Sequence, residues 1–315
     1  MYSKGIFKNF GWLFGLLLAC SVSIVASIAA KWIGEDLLGF NRSPISDIMM
    51  AIIIGMIIAN TLPLNNMIQI GLKFCATTIL RIGIMFLGIR LSLFGAGKFT
   101  LVALPFVITA IAIGLITVRM LGRSMRLSPQ LTGLIAVGTS ICGATAIVAT
   151  APLIRAKEAE VSYAIACITI FGLVAMFSYP FLAHFLFADQ PVMAGLFLGT
   201  SIHETAQVAG AGLMYQSQYD APLALDIATV TKLVRNLCMI AVIPLVGILY
   251  GQQDQVSQSK SRWSWLGMIP WFIVGFAFMS AIRTIGDLSE TPFGLINLDQ
   301  WNELVYMVKS LAEKL

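Results

Sequence analysis

The chain has 315 residues, 58% of them hydrophobic and 11% charged, with a mean hydropathy of +0.88. Soluble domains carry about 25% charged residues, so this composition cannot cover a water-facing surface and excludes a soluble enzyme, a coiled coil, a disordered chain and a disulfide scaffold. The net charge of +5 does not indicate nucleic acid, because no basic run is interleaved with aromatics on a polar segment, and excess Lys and Arg are expected on the cytoplasmic loops of an inner-membrane protein.

Apolar runs of about 18 residues or more predict membrane spans. In chain order they fall near 11–30, 44–62, 74–94, 99–118, 161–187, 224–250 and 264–282. The first follows Lys4 and Lys8 and is too long for the core of a typical signal peptide, so it reads as an uncleaved helix. Two further stretches, 129–152 and 192–214, are apolar but interrupted by Gly and small polar residues. The last, from Trp301 to Leu315, contains Glu303, Lys309, Glu313 and Lys314 and is too polar for a clean span. The expected fold is an all-α membrane protein of about nine or ten transmembrane elements, two of them broken or re-entrant helices in inverted arrangement. No loop is long enough for a soluble domain, so residues 1–315 are read as one integral membrane domain in the lipid bilayer. Cys20, Cys75, Cys142, Cys167 and Cys238 sit in apolar runs without CxxC spacing and read as small buried hydrophobes.

Charge sets the orientation. With the N-terminus in the cytoplasm, Lys4, Lys8, Arg119, Arg123, Arg126, Lys260 and Arg262 share the inner side, while Lys31, Arg42, Lys98 and Arg283 lie outside. Arg155 and Lys157 join the inner set only if 129–152 dips into the membrane and returns, or is a broken helix.

The interrupted stretches carry the sharpest signal. Residues 138–141 and 199–202 both read Gly-Thr-Ser-Ile, within GTSICGATAIVATA and GTSIHETAQVAGAG. One span separates the copies, so they should enter from opposite faces, making 129–187 and 192–250 related units of a broken helix and a following span. Broken helices at membrane depth are tolerated only beside protein or a wet cavity. Their exposed N–H groups and positive ends can bind an anion. Thr139, Ser140, Thr200 and Ser201 add neutral donors, with Cys142, Gly143, Thr145 and Gln207 beside them. The competing reading is close helix packing through small residues, which Gly195 and Gly199 fit.

Two bases lie deep in 224–250. Lys232 and Arg235 are three apart and share one helix face. A base at mid-helix costs about 2.5–3.5 kcal/mol on insertion, so Arg235 needs a polar cavity or a partner. Either the bases face the broken elements and coordinate an anion, or they pair structurally with Asp226, Glu204 or freed backbone carbonyls. Arg90, near a span end, is expected to reach the headgroups; Arg81 receives no role, and His184 reads as an interface residue. His203 and Glu204 stand where the first copy has Cys142 and Gly143, and suit coupling to a proton or a cation such as sodium. An intramembrane H-E-x-x-H metal site fails because the fifth position is Gln207. With no phosphate loop and no nucleophile triad either, neither enzyme activity nor a metal or cofactor is expected.

Four runs, LRIGIMFLGIRLSL (80–93), GTSICGATAIVATAP (138–152), GTSIHETAQVAGAG (199–212) and ATVTKLVRNLCMIAVIP (228–244), together resemble the YeiH-like membrane proteins, a family commonly labelled sulfate exporters. The similarity covers nearly the whole chain. It implies a bacterial inner-membrane, multi-pass transporter related to the cation/proton antiporter and anion transporter superfamily, with inverted repeats, crossed broken helices, a homodimeric state and an elevator-like movement. Such relatives continue past the equivalent of Leu315, so by resemblance the chain reads as a shortened member. The expected function is secondary transport, in the export direction, of a small anion such as sulfate or an organic sulfonate. The alternatives are a cation/proton antiporter using Glu204 and a non-transporting membrane interaction subunit.

Overall fold

A computed structural model describes residues 11–37, 47–250, 271–288, 292 and 296–314. Lys4, Lys8, Arg42, Lys260, Arg262 and the start of the predicted 264–282 span lie outside the described residues. Among the described residues every regular element is helical. Four helical segments are long and apolar enough to cross a membrane, Leu13–Leu37, Asn66–Arg90, Leu93–Ser124 and Glu158–Phe187, and a bent pair supplies a fifth. The protein is an all-α membrane protein.

The first layer is built by close approach of small residues. Helix α1 (Gly11–Lys31) crosses α3 (Asn66–Phe74) so tightly that a Cβ on Gly15 would lie 2.4 Å from the backbone nitrogen of Leu72. Helix α2 (Asp47–Thr61) packs beside α1, and Ser27 Oγ donates to Asp47 Oδ2 at 2.7 Å. Helix α3 continues through a π turn at Cys75–Ile79 into α4 (Leu80–Leu87) and a 3-10 turn at Gly88–Arg90. This path replaces the predicted span 74–94. Its first turns carry the exposed polar residues Asn66, Gln69 and Lys73, which fall outside any apolar window. It stops at Arg90 because Leu91 turns extended and Ser92 caps the next helix, accepting from Gly95 N at 3.1 Å.

Helices α5 (Leu93–Ser124) and α8 (Glu158–Phe187) have 32 and 30 residues. At 1.5 Å per residue each exceeds the roughly 30 Å of a hydrocarbon core. Between them the first interrupted stretch forms α6 (Pro129–Ser140) and α7 (Ala144–Thr150). It begins and ends at the same place, because Ser128 Oγ, at the N-cap of α6, donates to Glu160 Oε1 in the first turn of α8 at 2.5 Å. The two arms pack closely, so that a Cβ on Gly138 would meet Ile147 at 2.8 Å. The stretch is therefore a re-entrant hairpin. It returns Arg155 and Lys157 to the end of the bundle that carries Arg119, Arg123 and Arg126, here called the arginine end.

The second stretch mirrors this from the other end. Helix α9 (Pro191–Ser201) starts just after α8 stops, and α10 (Thr205–Tyr219) comes back to the same level. There Tyr219 stacks on His184 of α8 at 3.7 Å. The chain then enters α11 (Pro222–Leu237) and α12 (Met239–Tyr250). The predicted single span 224–250 is this pair, bent by 44°. Pro244 lies one turn past the bend and cannot donate to the carbonyl of Ile240. Tyr250 ends at the arginine end, under the Arg119 guanidinium at 5.6 Å. Helix α13 (Trp271–Asp287) packs along α4, and the amphipathic α14 (Leu298–Lys314) closes the opposite end, with Trp301 Nε1 donating to Asp287 Oδ1 at 2.9 Å.

The cysteines are free, but only Cys142 is buried; Cys20 is exposed and Cys75, Cys167 and Cys238 are partly so. The burial expected of all five fails because apolar helix faces here point outward as well as inward, as Leu101 and Phe185 do at 74% and 84% exposure.

A Cβ on Gly199 would lie 2.7 Å from the Ala228 carbonyl oxygen, whereas one on Gly55 meets nothing within 4 Å. Gly199→Val should therefore lower stability by about 1–3 kcal/mol, while Gly55→Ala should be neutral or raise it by up to about 1 kcal/mol, as read by thermal melting in detergent. In sealed vesicles, a membrane-impermeant maleimide should label Arg123→Cys and Lys157→Cys from one side and Ser217→Cys from the other. Labelling of 123 and 157 from opposite sides would contradict the hairpin.

Candidate functional site

The two hairpin tips meet beside α11. At the first tip, α6 ends at Ser140, Ile141 leaves helical geometry, and Gly143 closes the turn with its N–H on the Gly138 carbonyl at 3.0 Å. Gly143 has φ +67°, a conformation L side chains rarely adopt. A Cβ there would also press on Glu204 Cγ at 2.7 Å. At the second tip, α9 ends at Ser201, Ile202 is extended, and α10 starts behind an N-cap at Glu204. Glu204 is the N-cap of α10, and the Gln207 amide oxygen accepts from Glu204 N at 3.2 Å.

Breaking two helices leaves the carbonyls of their last turns without partners. Lys232 and Arg235, 0% and 3% exposed, supply donors to both tips. Lys232 Nζ donates to Ile141 O at 2.9 Å, to Ile202 O at 3.1 Å, and to His203 O. Arg235 donates from Nε to Ser140 O at 2.8 Å and from Nη1 to Thr200 O at 2.7 Å and Ile202 O at 3.1 Å, and its Nη2 reaches Thr139 O. Among the described residues no carboxylate forms an ion pair with either base.

This geometry refines the expected arrangement. The helix ends facing the bases are carbonyl ends with negative partial charge, which favour cations, rather than the N–H ends an anion would seek. The positive end of α10 is occupied by its own Glu204. Thr139, Ser140, Cys142, Gly143, Thr200, Ser201, His203, Glu204, Lys232 and Arg235 all gather at the crossing or its edge. Cys142 turns aside, its Sγ 3.1 Å from Met239 Sδ. Thr200 Oγ1 is committed to the Leu196 carbonyl of its own helix at 2.7 Å. Gln207 packs on α8, its Nε2 donating to Thr169 O at 3.3 Å. Thr145 is exposed, away from the bases.

Several buried polar atoms around the crossing lack a hydrogen-bond partner: Ser140 Oγ, Thr231 Oγ1, His203 Nδ1 and Asn236 Oδ1. Such atoms mark places for water or a ligand. Thr231 and Asn236 flank the bases in sequence; Thr231 is not among the residues expected at the site, and the signal for it is its helical spacing to Arg235. Among the described residues no group of three or more His, Cys, Asp or Glu side chains could hold a metal.

Toward the opposite end, Arg90 does not reach outward as expected. It pairs with Asp226 at 2.5 Å, the side chains 7% and 12% exposed, and its Nη2 donates to Gln216 Oε1 at 3.1 Å. The 3-10 turn before it swings the guanidinium toward α11, a path that hydropathy does not encode. Arg81 lies 5.9 Å from the Phe272 ring centre.

The family model described as conserved hypothetical protein 698 matches residues 14–312. A UPF0324 membrane protein of Oceanobacillus iheyensis is 35% identical over 303 residues, covering 95% of this chain and 82% of the relative. One from Agrobacterium fabrum is 34% identical over 286 residues, 88% of this chain and 76% of the relative. One from Bartonella henselae is 33% identical over 280 residues, 87% and 75% respectively. No solved structure matches the chain. Helical content, membrane-length segments and similarity along almost the full chain agree, and the chain belongs to the UPF0324 family of membrane proteins.

Proposed function

We propose that the protein is a secondary transporter of a small anion, sulfate or an organic sulfonate, carried at the crossing of the two hairpin tips. The observation that carries this reading is a pair of buried bases, Lys232 and Arg235, between two interrupted helices and without a carboxylate partner among the described residues. Two formal positive charges face two helix ends worth about −0.5 each. Glu204 is offset by about half by the positive end of α10 that it caps. The crossing retains an excess of positive charge of roughly half an elementary charge or more. Every donor of Lys232 is spoken for and four of the five N–H groups of Arg235 are, so the anion's direct partners in this reading are the remaining Arg235 Nη2 N–H, hydroxyls and the imidazole: Ser140, Thr231, Thr139 and His203. The bases set the potential and hold the tips.

The same reading makes the protein a carrier rather than an enzyme. It places the arginine end in the cytoplasm of a bacterial cell, with the N-terminus on that side, because five bases gather there. Export as the direction, coupling through His203 and Glu204 to a proton or sodium, and a homodimeric state belong to the proposal as well.

The saturation of Lys232 by carbonyls favours a second reading, cation/proton exchange at Glu204, since that acid stands at a hairpin tip while no lysine proton is free for an anion. Flux into proteoliposomes of the full chain separates the two. Anion transport predicts saturable uptake of labelled sulfate or methanesulfonate. Ser140→Ala removes a hydroxyl with no protein partner, so it should leave the melting temperature unchanged and weaken anion affinity by roughly fivefold to tenfold. Lys232→Gln should abolish uptake. Uptake unchanged in both variants would remove the crossing from the mechanism. Sodium or potassium exchange driven by a pH gradient, insensitive to sulfate and lost in Glu204→Gln, would establish the second reading.

A further inference from the structure

A groove of about 560 Å³ runs along α8 between it, α5 and α6, and touches the crossing. Its walls are apolar, including Leu121, Met125, Ile135, Ile168, Phe171 and Ala175, with the rings of Tyr163 and Tyr179 at its sides. Where it meets the crossing, at its inner end, it is lined by Thr139 and His203, one residue from each hairpin tip. Their carbonyls are among those that hold Arg235 and Lys232. Its outer rim, Gly122 to Leu127, lies at the arginine end, where Arg123 and Arg126 are exposed.

From this geometry we infer that the carried substrate is an organic anion with one acidic head and an apolar or aromatic body, the head at Thr139 and His203 and the body in the groove. The inference rests on the anion-transport reading and specifies its substrate class. Size and chemistry argue for it. Cavities of about 300–1,000 Å³ suit organic molecules of many atoms, and a compact inorganic ion would fill a small part of this one. The walls also offer such an ion nothing in exchange for its hydration. A lipid tail would match the walls but not the inner end. There His203 Nδ1 is buried without a hydrogen-bond partner, and two bases stand directly behind the tips. One acidic head satisfies that end, and one apolar body satisfies the walls.

Cys167 lines the groove and is partly exposed, which provides a native reporter. The purified full chain in neutral detergent is treated with N-ethylmaleimide, and alkylation of Cys167 is followed by peptide mass spectrometry. Naphthalene-2-sulfonate should slow the reaction saturably, whereas inorganic sulfate and neutral naphthalene should not. Tyr163→Ala and Phe171→Ala alter mostly exposed rings and should keep the melting temperature. Each should raise the half-protecting concentration of the sulfonate by roughly tenfold. Equal protection by naphthalene would show an apolar slot for lipid and overturn the inference. So would sulfonate protection unaffected by either variant. Sulfate flux in proteoliposomes without any protection by the sulfonate would overturn the inference and leave anion transport standing. Absence of both flux and protection would remove the two together.

Discussion

The backbone carbonyls freed at two helix breaks, and the two bases that satisfy them, are the constraint on which the rest of the structure depends. Within a bilayer an unpaired carbonyl costs several kcal/mol, and a lone base at depth is costly as well. Each problem is the other's solution. Lys232 and Arg235 reach six carbonyls, of Thr139, Ser140, Ile141, Thr200, Ile202 and His203. Charge-assisted hydrogen bonds of this kind are worth about 1.5–3 kcal/mol each. The clamp requires α9 to lie almost against α11, and glycine at 195 and 199 makes that approach possible. It also requires the sharp turn at Gly143, which brings the first tip under Glu204 of the second.

From that clamp follows the asymmetry of the molecule. Toward one end of α11, about 13 Å from Arg235 at 1.5 Å per residue, the Arg90–Asp226 pair and Gln216 close the bundle, and the His184–Tyr219 stack lies at the same level. Toward the arginine end the groove between α5, α6 and α8 leads in to Thr139 and His203. The two sides of the crossing thus differ, with a buried ion pair on one and an apolar groove reaching Thr139 and His203 on the other. The two tips are not equivalent. The first carries Cys142 and Gly143 and is apolar, while the second carries His203 and Glu204 and holds the ionisable groups.

Much of this architecture was legible in the residues, and the rest failed for identifiable reasons. Repeated Gly-Thr-Ser-Ile marked both breaks, because small residues and hydroxyls interrupt an apolar run visibly. Lys232 and Arg235 stood out because bases are rare at that depth. Freed backbone carbonyls were one of the partners open to them, and the structure selects that alternative; which carbonyls, and that carbonyl ends rather than N–H ends face the bases, carries no side-chain signal. The span beginning at Asn66 was placed too late because its first turns are polar and exposed. The bend after Leu237 was missed because 224–250 is uniformly apolar apart from its few polar positions. Arg90 was assigned to the headgroups because nothing in its neighbourhood names Asp226, which is distant in sequence. The groove was invisible as well, since the residues that wall it are ordinary apolar helix residues.

An experimental density map of the full chain in lipid nanodiscs, at a resolution that shows side chains, tests the central claim most directly. The account predicts two interrupted helices entering from opposite faces, with density from residues 232 and 235 bridging to the carbonyls of both tips. Continuous helices through 138–145 and 199–206, or bases turned away from the tips toward lipid or a carboxylate, would contradict it.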